Sequence, residues 1–87
     1  MYGQTEWQFI HLVRLAWDLR ELGRDTLVEL PRRAEPVLFL PGATTHGRIM
    51  AIEQDGGRWV FTWGRGRRRQ VAAYAQDAAE RIAAVIR

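Results

Sequence analysis

Apolar and polar positions alternate most clearly from Arg58 to Trp63, where Trp59, Phe61 and Trp63 fall on one side of an extended strand and Val60 and Thr62 on the other. The segment before it, His46–Gln54, has the same extended character, and Asp55-Gly56 between them predicts a hairpin with a two-residue turn. That turn pairs Glu53 with Arg58, Ile52 with Trp59, Met50 with Phe61 and Arg48 with Trp63. Ile49, Ala51 and Val60 then lie on the face opposite the rings.

The N-terminal pattern has a different period. Thr5-Glu6-Trp7-Gln8 reads as a capping box, opening a helix that runs to about Leu22 and stops at Gly23. Gln8, His11, Arg14, Asp18 and Glu21 project to one side, which the pattern assigns to solvent. Phe9, Leu12, Val13, Ala16 and Leu19 project to the other, flanked by Ile10 and Trp17 on one edge and by Leu15 and Leu22 on the other. This arc is wider than a helix resting on a single surface requires, so a second helix or a second copy of the chain must cover the excess.

Thr26–Leu30 and Val37–Leu40 are short strands around a Pro31–Pro36 loop. From about Arg67 to Ile86, the recurrence of Val71, Ala75, Ala78, Ile82 and Val85 predicts a second helix, supported by an Asp77–Arg81 pair at i,i+4. The expected architecture is a single two-layer α+β domain over residues 1–87: helix, three or four antiparallel strands, helix.

The aromatic strand and the alanine-rich helix together carry a resemblance. Trp59, Phe61, Trp63 and Gly64, followed by Ala78, Ala79 and Ile82, resemble the end of a group of small actinobacterial proteins of unknown function. In that group a W-x-W-G strand precedes an A-A-x-x-I helix, and the genes often lie near helix-turn-helix regulators. The resemblance covers roughly the last third of the chain. It implies an α/β accessory protein and no particular chemistry.

Composition narrows the function classes. The chain is 47% hydrophobic with four Trp, too apolar for disorder, and no apolar run approaches a membrane span or a signal-peptide core. A cytoplasmic location without membrane contact is the expectation. Cys, Ser, Asn and Lys are absent, and all thirteen basic residues are Arg. Disulfides, thiolate metal sites and Ser, Cys or Lys nucleophiles are thereby excluded.

The net charge of +3 is concentrated at the C-terminal end. Arg65, Arg67, Arg68 and Arg69, with Arg48, form a candidate basic corner. If Gly66 caps the second helix, the last three occupy its first turn against the helix dipole, a locally unfavourable choice that suits a phosphate or carboxylate ligand. The ring stripe could in principle be a base-stacking platform, at ~1–3 kcal/mol per base. Burying ~150–250 Å² per ring at ~25 cal/mol/Å² is worth more. The stripe is therefore assigned to the core, with Trp63 partly exposed under Arg48.

His11 is assigned to the solvent side of its helix and His46 to a loop. Two separated histidines make no metal site, and no carboxylates show acid/base spacing, so no catalytic residue, metal or cofactor is expected. The expected function is a non-catalytic protein-interaction or accessory module, homodimeric or bound to another protein, with Ile10, Trp17, Ile49 and Val60 as interface candidates. The alternative is a nucleic-acid-binding module using the arginine corner.

Overall fold

A helix with a well-defined stop begins the structure, a computed structural model that describes residues 4–42, 47–63 and 69–86. Helix α1 spans Gln4–Glu21. Gly23 takes φ +82°, a backbone state that glycine adopts without steric cost. Gly23 N donates to Arg20 O at 2.9 Å and Arg24 N donates to Leu19 O at 2.9 Å. These two bonds satisfy carbonyls that the helix itself leaves orphaned.

Five strands follow: β1 (Leu27–Glu29), β2 (Val37–Phe39), β3 (Arg48–Gln54), β4 (Arg58–Trp63) and β5 (Gln70–Ala72). They form one antiparallel sheet in chain order. Helix α2 (Ala78–Val85) closes the fold. The α+β class is as the sequence predicts, with one strand more than its upper count. The additional strand, β5, lies where a helix from Arg67 was expected. Val71 pairs with Phe61 and is buried there, and this cross-strand pairing along the edge of β4 outweighs the helix propensity of the neighbouring alanines. The expected Asp77–Arg81 pair is present in α2, with Arg81 Nε donating to Asp77 Oδ2 at 2.8 Å.

The β3–β4 hairpin is also corrected, by one residue. Its loop has three residues, Asp55-Gly56-Gly57, and the register runs from Gln54 opposite Arg58 to Ile49 opposite Trp63. Both glycines take positive φ, and Gly57 N donates to Gln54 O at 3.1 Å, so the second glycine belongs to the turn instead of starting the strand. The one-residue slip exchanges the faces of the whole of β3. Ile49 and Ala51 join the rings, and Met50 and Ile52 join Val60 on the other side.

Both helices pack on the ring face. Leu12, Leu15 and Leu19 of α1 and Ala78, Ala79 and Ile82 of α2, with Ile86 just beyond, form one buried cluster with Leu38, Ile49, Ala51, Trp59, Phe61, Trp63 and Val71. The stripe on α1 is rotated from the expected arc, since Leu15 is central and Val13 is exposed.

Thr5 and Gln8 do not form a capping box. Thr5 lies inside α1, and the buried Gln8 side chain donates from Nε2 to Ala51 O at 3.0 Å and to Glu35 Oε1 at 3.2 Å. Gln8 thus fastens α1 to the centre of the sheet, and the absence of a side chain beyond Cβ at Ala51 leaves room for that approach.

Candidate interaction surfaces

With both helices on one side, the opposite sheet face is left to its own side chains. The register lays it out in rows. Leu27, Phe39 and Arg48 form one row, Glu29, Val37, Met50, Thr62 and Gln70 the next, and Ile52, Val60 and Ala72 a third. Leu27 is 52% exposed, and Val37, Phe39, Met50 and Ile52 are only half-buried. Val60 is buried among these neighbours, yet it does not belong to the helix-covered core. A face this apolar is unusual for a sheet side left to water, where alternation normally places polar residues.

Polar groups surround the patch. Arg48 lies across the Phe39 ring, its guanidinium carbon 5.1 Å from the centroid, an arrangement worth about 0.5–1 kcal/mol at an exposed site. It does not stack on Trp63, which is buried on the other side. Gln54 Nε2 of β3 donates to Gln70 Oε1 of β5 at 3.3 Å, spanning β4. Beyond Val60 and Ala72 the face continues into a groove of about 550 Å³ walled by Arg58, Tyr74 and Arg81.

The arginine corner is only partly within view. Arg65, Arg67 and Arg68 lie outside the described residues, as does His46. Arg69 precedes β5, and its carbonyl accepts from Trp63 N at 3.1 Å. Because α2 begins at Ala78, the arginines do not occupy its first turn, and the argument from an opposed helix dipole lapses. Arg48 opens β3 and Arg69 directly precedes β5, at the same end of the sheet with β4 between them.

Of the interface candidates, Ile10 and Trp17 are exposed on α1 and Val60 lies on the open face. Ile49, with 0% exposure, is a core residue. Its reassignment follows from the shift in hairpin register.

His11, like Gln8, departs from the polar pattern on α1. It is 4% exposed, with its ring 4.9 Å from Trp59, 5.5 Å edge-on from Tyr74 and 6.3 Å from Trp7. Among the described residues its Nε2, like Trp63 Nε1, is buried without a hydrogen-bond partner. Burial first, and the nearby Arg14 charge second, push its pKa below the usual 6.5. A pocket of about 130 Å³ beside it is lined by Arg14, Asp18 and Gln76. The alternation of Gln8 and His11 with leucines hides both residues in a sequence reading, because polar residues inside a helix ordinarily mark its wet side.

A pH dependence follows from the depressed pKa. Above about pH 6.5 His11 is neutral in the folded and unfolded chain alike, so it contributes no pH dependence. Below that value the unfolded chain takes up a proton that the fold resists, and stability falls as pH falls. Urea midpoints measured from pH 8 to pH 5 should decline below pH 6.5, and His11→Phe should remove most of that decline. An equal decline in the variant would remove His11 as the cause.

Among the described residues no group of three or more His, Asp or Glu could hold a metal ion, and no helix is long and apolar enough to cross a membrane. No protein-family model, curated protein or solved structure matches the chain.

Proposed function

We propose that the protein is a non-catalytic interaction module, and that its docking surface is the open sheet face, occupied by a second copy of the chain. The observation that carries this is the placement of both helices on the ring face, which leaves Leu27, Val37, Phe39, Met50 and Ile52 without a covering layer among the described residues. Five strands spaced about 4.8 Å apart give this face roughly 400 Å² in projection. Side-chain relief raises the area, so two such faces remove on the order of 1,000 Å² from water, the size at which specific interfaces begin. A sheet packed on a sheet through apolar side chains is a standard two-layer solution.

Light scattering after size exclusion should give about twice the 10.1 kDa chain mass at low micromolar concentration. Ile52→Glu places a charge in the centre of the patch but outside the helix-covered core, and should return the monomer mass with the circular dichroism unchanged. A wild-type chain that stays monomeric at high micromolar concentration would refute the second copy as occupant.

Arg48 and Arg69, with the arginines between residues 64 and 69, are the residues a nucleic-acid surface would use. Such binding should weaken log-linearly with salt, with a slope of about −0.7 to −0.9 for each phosphate neutralised. Affinity that survives at physiological salt and is lost when these arginines become Gln would favour that alternative over self-association.

A further inference from the structure

The outer side of α1 carries a second apolar surface, separate from the sheet face. Ile10, Val13 and Trp17 are 37%, 42% and 62% exposed. Their spacing of three and then four stacks them along one side of the helix. Glu6 continues this line towards the N-terminus and Arg20 towards the C-terminus, and both are exposed. Val13 is the midpoint. Ile10 and Trp17 lie on either side of it, and Glu6 and Arg20 are each two turns away, about 10 Å at ~1.5 Å per residue.

Opposite charges equidistant from an apolar centre make a surface complementary to its own copy, because a two-fold axis through the centre brings each end onto the other. We propose that α1 is a second self-association element: two copies pack their first helices antiparallel, crossing at Val13. Ile10 then meets Trp17 of the other copy, and Glu6 meets Arg20 at both ends. The Trp17 indole is already restrained, since its Nε1 donates to Glu21 Oε1 at 3.1 Å. Fixing it in the contact therefore costs less rotamer freedom than fixing a free side chain.

This surface is independent of the sheet face and smaller than it, so it acts at higher concentration. The sheet face makes the dimer, and α1 joins dimers into four-chain particles or longer strings.

Sedimentation velocity across a range from low micromolar to about millimolar tests this. Wild type should show a second association step above the dimer. Glu6→Arg and Arg20→Glu each set like charges against one another at both ends of the contact, and each should move that step to at least tenfold higher concentration. In an equimolar mixture of the two variants every Arg meets a Glu again, and the step should return to within about twofold of wild type.

Recovery on mixing requires the antiparallel register and would establish it. Single variants that associate like wild type, a mixture that fails to recover, or a wild type with no second step would overturn the proposal. The sheet face is scored separately by Ile52→Glu. Loss of the dimer step there with the helix step intact would show two surfaces, and a persistent dimer step would count against the sheet face alone.

Discussion

Phe61→Ala should lower the stability of the fold by ~3–5 kcal/mol, the usual loss for removing a buried ring from a packed core. Phe61 is the middle ring of β4, paired with Ala51 on one side and Val71 on the other, and it is buried beneath the helices. Ala51 has no side chain to spare for the space, and β-sheet geometry keeps the strands from closing over it. A domain of this size has a total of about 5–10 kcal/mol, so the variant should be largely unfolded under mild denaturant. Urea titration followed by tryptophan fluorescence measures the effect directly. A variant that keeps its midpoint would show that the ring is a surface group and that the ring face is not the core.

The second large effect is expected at Arg24. Helix α2 has eight residues, fewer than the ~12–15 needed for even marginal stability alone, and its last turn contains no basic side chain. Arg24 supplies one from the other end of the chain. Its two terminal nitrogens donate to Ala83 O at 3.1 Å and to Ile86 O at 2.7 Å. Both bonds are charge-assisted and placed where the helix dipole favours a cation.

Hydrogen bonds to charged groups contribute about 1.5–3 kcal/mol each, and two made by one partly buried fork do not add fully. Arg24→Ala should therefore cost ~2–3 kcal/mol. Arg24→Lys should recover less than half, since an ammonium cannot span both carbonyls as a planar fork does. A loss below ~0.5 kcal/mol for the alanine variant would mean that α2 holds its place through Ile82 and Ile86 alone.

The parts of the fold legible in the sequence were those written in strong local periods. The α1 segment with its glycine stop, the ring-bearing strand and the existence of the hairpin all follow from spacing and turn chemistry. The hairpin register does not, because Asp55-Gly56-Gly57 suits either a two- or a three-residue loop, and the choice depends on which face of β3 the helices cover. Ile49 and Ala51 changed sides on that one residue.

β5 was hidden for a related reason. Three residues between an arginine run and an alanine-rich stretch carry no periodic signal, and only the unoccupied edge of β4 turns Val71 into a strand residue. His11 and Gln8 were misread because their burial is decided by partners distant in sequence, Trp59 and Tyr74 for one and the Ala51 carbonyl for the other. Arg24 gave no signal at all, since a lone arginine after a helix looks like any other solvated charge.

The chain-order arrangement of the sheet also bears on how the molecule comes to be folded. Each strand pairs with the strand next to it in sequence, so the sheet can zip outward from the β3–β4 hairpin through short loops, each closed at little entropic cost. The helix contacts are of another kind. Gln8 reaches Ala51 across 43 positions, and Arg24 reaches Ile86 across 62. During synthesis α1 emerges before the sheet, so Leu12, Leu15 and Leu19 lack their native cover until β3 and β4 have left the ribosome. A buried glutamine and a buried histidine among those leucines make the waiting helix less sticky than an all-leucine stripe would be. They find their places only once the rings and the Ala51 carbonyl arrive.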